Sequence, residues 1–300
     1  MFELTEEQRG HYLKAGTIAE TVRAEARRLA KPGFKLLDLA EQLEGKIKAL
    51  GANPAFPLNL SLNDTAAHYT PVPEDTLVIG QGDVLKIDLG VAVEGCICDT
   101  ALTLDFSGQN GKLVEAVETA LDTVLSIAKP GVSTGQLGAA IEKEIRSREL
   151  KPIVNLCGHR LLPYTVHAGE ELPNVARGGY VLEEGDVFAC EPFATNGRGM
   201  VKEAPQVEIY MLQTIKPVRL PQSRALLAHI EKEYQTLPFA RRWISSLPGS
   251  TLALPDLVKQ GLVYPYHVLK EEGEGLVAQA ETSFIVEANG ITPLARRPKL

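Results

Sequence analysis

The chain has 300 residues, 44% of them apolar and 23% charged, which is ordinary globular usage and enough length for one or two domains. Its net charge of −7 points away from nucleic acid and anionic membrane surfaces. No apolar run approaches the roughly 20 residues of a membrane span, and Met1-Phe-Glu-Leu-Thr-Glu-Glu lacks the basic and apolar regions of a secretory signal.

In chain order, Thr5 and Gln8 make a capping box ahead of a helix that places Leu13, Ile18, Val22, Ala26 and Leu29 on one face. Ala30-Lys-Pro-Gly33 stops it. The spacing predicts a second helix over 36–50, closed by Gly51. An irregular segment through Phe56-Pro57 and Ala66-Ala-His-Tyr-Thr-Pro71 leads to residues 82–104, which read as a β-hairpin turning near Val93, Glu94 and Gly95. Helices follow over about 112–128 and after the cap Ser133, separated by Ala128-Lys-Pro-Gly131. A segment carrying His159 and His167 precedes Gly185-Asp-Val-Phe-Ala-Cys-Glu191. Residues 202–212 alternate as a strand. From about 217 to 262 the pattern turns helical, over 223–237, 239–247 and 256–260, and reads as an insertion without a metal-ligand pattern. Strand character returns over 275–287. Cys96, Cys98, Cys157 and Cys190 form no C-x-x-C pair and sit in apolar stretches; they read as buried reduced thiols, and a cytoplasmic location is expected.

An order recurs: helix, Ala-Lys-Pro-Gly, helix, histidine segment, Gly-Asp-Val strand. The tetrapeptides lie 98 positions apart and the Gly-Asp-Val copies 103, and each strand bears an acid six places after its glycine, Asp88 and Glu191. This reads as a duplicated α/β unit, with halves of about 1–108 and 109–216 plus the C-terminal strands. A pseudo-two-fold would then bring Asp88 and Glu191 into one cleft.

Asp88 and Asp99 stand on facing strands of the hairpin inside apolar runs, and Glu281 stands in a third such run. A single aspartate of this kind is most simply a solvated edge residue. Buried ionised carboxylates are costly unless a cation compensates them, and several in one place call for a divalent metal. Asp88, Asp99, His159, Glu191 and Glu281 would suit two hard or borderline ions sharing carboxylates. Such a pair activates water without a protein nucleophile. A serine alternative is weak: Gly131-Val-Ser133-Thr-Gly135 has Gly-x-Ser-x-Gly spacing, but Ser133 there reads as a helix cap. His68 and His167 hold comparable places in the two halves. His159 and His167 are eight apart, so if both lay on one strand they would face the same side. A lone histidine is most simply a packed residue; opposite a metal cleft, a proton-handling or oxyanion role gains weight.

Four segments together resemble the methionine aminopeptidases of the type II, archaeal and eukaryotic branch: Phe56-Pro57 with 63–71, the hairpin 86–103, Gly158-His-Arg-Leu-Leu-Pro-Tyr-Thr-Val-His-Ala-Gly169, and Ala278-Gln-Ala-Glu281. The resemblance implies a pita-bread fold of mixed α/β (α+β) class, with residues 1–216 and 263–300 catalytic and 217–262 the helical subdomain. It implies two divalent ions (cobalt, manganese, iron and zinc all suit the ligands), with Asp88 chelating one, Asp99 and Glu281 bridging, and His159 and Glu191 on the other. It further implies that a bridging hydroxide attacks the carbonyl after an initiator methionine. Glu191 would handle the proton, and His68 and His167 would stabilise the intermediate and contact substrate. Phe56, Val166 and Tyr266 match the methionine pocket. The implied substrates are nascent chains beginning with Met, met near the ribosome by a monomeric enzyme of archaeal-like layout.

Three positions depart from the family pattern. Glu281-Thr-Ser stands where Glu-His-Thr is usual, and Ala280 where phenylalanine is common; the expected effect is on metal affinity. The competing readings are an X-Pro aminopeptidase or prolidase, which usually carries a further N-terminal domain, and a non-catalytic binding relative, which tends to lose ligands retained here. A redox di-metal protein would need Glu-x-x-His helix pairs that this chain lacks.

Overall fold

A computed structural model describes residues 4–296; the start of the N-terminal segment and the last four residues of the closing stretch lie outside the described residues. The first half comprises α1 (Glu6–Leu29), α2 (Leu36–Ala49), β1 (Asn53–Pro54), β2 (Asn59–Leu62), β3 (Thr65–Ala67) and the hairpin of β4 (Val84–Val93) and β5 (Cys96–Asp105). The second comprises α3 (Gly111–Ile127), α4 (Thr134–Arg146), β6 (Lys151–Pro152), β7 (Cys157–Arg160), β8 (Glu171–Pro173), β9 (Val187–Cys190), β10 (Phe193–Thr195) and β11 (Val201–Leu212). Then come α5 (Pro221–Glu233), β12 (Phe239–Ala240), α6 (Arg241–Ile244) and α7 (Ser250–Lys259). The chain returns through β13 (Val263–Glu271), β14 (Val277–Gln279), β15 (Glu281–Glu287) and β16 (Gly290–Pro293).

Local chemistry explains the boundaries. Both α1 and α4 start at a complete capping box, Thr5 with Gln8 and Ser133 with Gln136, which satisfies two otherwise orphaned backbone donors. The hairpin turns on Glu94 and Gly95, both at positive φ, the two-residue turn whose twist matches the strands. The buried face of α1 is rotated from the expected one: Tyr12, Ala15 and Ala19 join Ile18, Val22 and Ala26 inside, while Leu13 and Leu29 are half-buried. The small residues let the helix lie close on β4 and β5.

The duplication recurs in backbone detail. Gly33 N–H donates to Ile79 O and Leu36 N–H to Leu77 O; in the second half Gly131 N–H donates to Leu182 O and Thr134 N–H to Tyr180 O. Strands β1-β4-β5-β15-β9-β7-β8 follow one another in an antiparallel sheet, with β2 also on β4 and β16 on β15. The two halves therefore meet at the β5–β15 seam, which puts β4 and β9 at matching places on either side of it. Helices α1 and α2 cover one half of the sheet and α3 and α4 the other.

The segment after β11 builds its own apolar cluster from Leu226, Ile230, Phe239, Ile244 and Leu257 against the β11–β13 pair. Its helices differ from the expected spans. Phe239, fully buried and stacked on Tyr234, joins β11 as a strand, which leaves only a short α6. The third helix starts six residues earlier than expected because Pro255 is accommodated inside α7. At the other end of the excursion, four backbone N–H groups (Arg198, Gly199, Gly273 and Gly275) converge on the Glu271 carboxylate and, against the effect of burial, hold it below the ordinary range. This fixes the turn from β13 into β14 and β15.

One buried ion pair ties the helical segment to the first half. Glu44 of α2 accepts from Arg242 Nη2, from Trp243 Nε1 at 2.9 Å and from Leu58 N–H at 3.0 Å, while Arg242 Nη1 also reaches Thr70 Oγ1. The side chains of Arg242 and Glu44 are 4% and 8% exposed, so removing one partner strands a charge. Arg242→Ala is expected to destabilise the protein by about 3–5 kcal/mol in urea unfolding, and the double change Glu44→Gln/Arg242→Met by clearly less. Equal losses would show that lost packing, not the stranded charge, sets the cost.

Candidate metal and substrate site

The sheet register builds the site. Asp88 on β4 and Glu281 on β15 both pair with Ala101 on β5, so the two acids stand abreast with a methyl between them. Asp99, two residues before Ala101, emerges on the same face. The backbone register of β15 and β9 brings Glu191, just past the end of β9, level with Glu281. His159 pairs with Ala189 and points to the same side. Acids far apart in the chain thus meet on one face of the sheet, two from each side of the seam.

They open onto a cavity of about 340 Å³ whose wall also includes Phe56, His68, Val166, His167 and Tyr266. Ligating atoms of Asp99, His159 and Glu281 all lie within 4.8 Å of one another. His159 Nε2 is 3.8 Å from Asp99 Oδ2 and 3.9 Å from Glu191 Oε1. Asp88 Oδ1, Asp99 Oδ1 and Glu281 Oε1 are buried without a hydrogen-bond donor. Burial raises the Asp88 carboxyl to about 7. Burial, then the neighbouring carboxylates, push Asp99, Glu191 and Glu281 well above the ordinary range. Among the described residues no lysine or arginine ion pair reaches these four acids. Orphaned buried oxygens, mutual repulsion and an imidazole beside them are what a divalent-metal donor set requires, and the residues fit that group.

The two cavity histidines are held differently. His68, at φ +64°, has Nδ1 3.1 Å from His267 O. A carbonyl can only accept, so Nδ1 carries the proton and Nε2 is left as an acceptor. Burial pushes its pKa down to about 4, keeping it neutral. His167 Nδ1 lies 3.5 Å from the Tyr266 hydroxyl, which also reaches Met211 Sδ at 3.4 Å. His159 and His167 are not on one strand, so the spacing argument does not apply. The chain reverses between them, Leu162 and Thr165 exchange backbone hydrogen bonds, and the rings meet edge to face 4.5 Å apart. A turn in eight residues is as compatible with the sequence as a straight strand, and Tyr164 at positive φ makes it.

Three wall or floor residues were not singled out from sequence. Gln279 Nε2 donates to Asp88, Glu191 and Glu281 at 3.4, 3.4 and 3.2 Å, and its place two before Glu281 was the available signal. Cys157, two before His159, lines the cavity and is half-buried, unlike the other three thiols. Asn59 lines it too, and only the β2–β4 register reveals that. Gly90 has a clear purpose: a Cβ there would meet the Phe56 ring at 2.3 Å. The departures after Glu281 are both engaged. Thr282 Oγ1 donates to Ala295 O at 2.8 Å, and Ser283 Oγ both accepts from Asp99 N–H and donates to Asp99 O, at 2.8 and 3.0 Å.

The acids predict a pH response. A carboxyl whose folded pKa is raised contributes stability below its unfolded value, and that contribution is lost as pH rises through the folded value. For Asp88 the loss runs from about 4 to about 7, and the other three, raised in the same direction, add to it. The depressed histidines act oppositely, but their contribution is already complete above about 6.5. EDTA-treated protein is therefore expected to melt lower at pH 8 than at pH 6.5. Saturating Mn²⁺ should raise the pH 8 midpoint by roughly 5 °C or more and reverse the slope, because ligands bind metal deprotonated. A flat melting profile without metal would mean that the four acids ionise freely.

Residues 10–223 match metallopeptidase family M24. The methionine aminopeptidase of Pyrococcus horikoshii is 51% identical over 285 residues, covering 93% of this chain and 97% of that protein. Among solved structures, a thermophilic Arx1 superimposes with a TM-score of 0.89 at 20% identity, over 99% of this chain and 92% of that one. A methionine aminopeptidase from Thermotoga maritima does so with 0.72 at 19%, over 99% and 100%; at these identities both show the shared pita-bread fold alone. Family match, high-identity relatives and fold agree, and the chain belongs to metallopeptidase family M24, on its methionine aminopeptidase branch.

Proposed function

We propose that the protein removes the N-terminal methionine from newly made polypeptides, using two divalent ions held by Asp88, Asp99, His159, Glu191 and Glu281. The observation that carries this reading is the juxtaposition of four uncompensated acids with an apolar recess and two neutral histidines in one cavity. The ions would supply Lewis acidity and an activated water. The chain supplies the rest. Phe56, Val166 and Ile209 line an apolar wall suited to an unbranched thioether side chain. Glu191, raised by burial, accepts the proton given up by the attacking water. His167, whose Nδ1 lies 3.5 Å from the Tyr266 hydroxyl, stabilises charge growing on the scissile carbonyl oxygen in the tautomer that carries its proton on Nε2. His68 Nε2, an acceptor, holds the scissile amide N–H.

The test is release of free methionine from Met-Gly-Met-Met after EDTA treatment and add-back of Mn²⁺, Co²⁺, Fe²⁺ or Zn²⁺. Release is expected to return with metal. Asp99→Ala should lower kcat/KM by more than the roughly 100-fold that follows loss of an outer-shell partner. Cleavage of Met-Pro peptides in place of Met-Gly would instead identify an X-Pro hydrolase. Metal uptake of about two ions per chain by calorimetry checks the stoichiometry.

A further inference from the structure

Asn59 is buried on the cavity wall, and its two amide ends are in different situations. Nδ2 donates to Pro57 O at 2.8 Å. That contact settles the amide orientation, since a carbonyl oxygen could not face another carbonyl there. Oδ1 is then the other end, and it is buried with no hydrogen-bond partner. On the sheet, Asn59 pairs with Asp88 across β2 and β4, so the side chains leave the same face next to each other. Asp88 Oδ1 is also without a donor. An unpaired buried amide oxygen costs about 1–3 kcal/mol. The nearby Gln279 Nε2 goes to Asp88 Oδ2, so Asn59 Oδ1 and Asp88 Oδ1 both still lack an N–H.

We infer that Asn59 Oδ1 accepts a hydrogen bond from the substrate's free terminal amino group and makes the enzyme selective for an unblocked N-terminus. This rests on the functional reading above and adds a residue to it. Of the groups a Met-peptide brings, the thioether and the scissile carbonyl offer no N–H. The scissile amide offers one, and His68 Nε2 stands ready for it. The terminal amine offers more than one. When Asp88 is engaged with metal its oxygens are occupied, and Asn59 is then the neighbouring neutral acceptor. A neutral amide there recognises the amine without adding a fifth charge to the acidic cluster.

The experiment compares L-methionine with 4-(methylthio)butanoate, its des-amino analogue, as ligands of the metal-loaded enzyme. Neither has a scissile amide, so the comparison isolates the terminal amine. Wild type should prefer methionine. Asn59→Leu, close in shape, should reduce that preference by roughly 10- to 100-fold while leaving affinity for the des-amino compound unchanged. Asn59→Ser, which keeps an acceptor, should restore part of it. Calorimetric Mn²⁺ titration of all three proteins should give one affinity, and melting curves verify folding. An unchanged methionine preference in Asn59→Leu overturns the inference, as does equal loss of both ligands, which would indicate pocket shape. A drop in Mn²⁺ affinity of the same size would overturn it in favour of an indirect effect through Asp88. If wild type neither binds methionine nor releases it from Met-Gly-Met-Met, the functional reading fails first and the inference with it.

Discussion

Four carboxylates on one face of a sheet repel one another, and burial raises the cost of each charge. Everything around the site answers that constraint. The Ala101 methyl separates Asp88 from Glu281. Gln279 offers its amide N–H groups to three of the acids, a neutral donor that softens the repulsion without neutralising it. Ser283 holds the backbone of Asp99 from both sides. A lysine in their place would remove the repulsion and with it the reason to bind metal. Neutral hydrogen bonds thus order the four acids, and none of them compensates their charge.

Much of this was legible in the sequence because the signals were local or repeated. Acids inside apolar strand runs stand out at Asp88, Asp99 and Glu281. The two Ala-Lys-Pro-Gly and Gly-Asp-Val copies predicted a duplication, and the matched backbone hydrogen bonds of Gly33 and Gly131 share its geometry. What stayed hidden depends on register. Asn59 becomes a wall residue only because it pairs with Asp88, and no periodicity encodes which strand lies next to which. The His159–His167 turn is not legible because spacing alone does not distinguish an extended run from a reversal. The spans in the helical segment failed where tertiary packing overrode local preference: Phe239 is drawn into a strand by its aromatic neighbours, and Pro255 reads as a breaker but sits inside α7.

The helical segment is more than a peripheral addition. Pro238, between α5 and β12, lines the cavity, and Thr236 Oγ1 donates to Tyr164 O in the turn that carries Val166 and His167. The same turn is held from the other side, where Tyr164 N–H donates to Gly95 O at the hairpin tip. Through Glu44 and Arg242 the segment is fastened to α2 as well. The wall opposite the acids is thus positioned by contacts from both halves and from the segment between β11 and β13.

The seam between β5 and β15 has a consequence in time. Strand β15 sits between β5 and β9, and it is among the last elements the chain encodes. Until it arrives, the β4–β5 hairpin and the β9–β7 ladder share no strand, and Glu281 is not beside Asp99. Its partners on β5 lie about 180 residues upstream, a closure that is entropically slow and happens late. During synthesis, at roughly 5–20 residues per second, Asp88 and Asp99 are made well before Glu281. The sheet is completed, and the donor set with it, only when the C-terminal strands have cleared the ribosome.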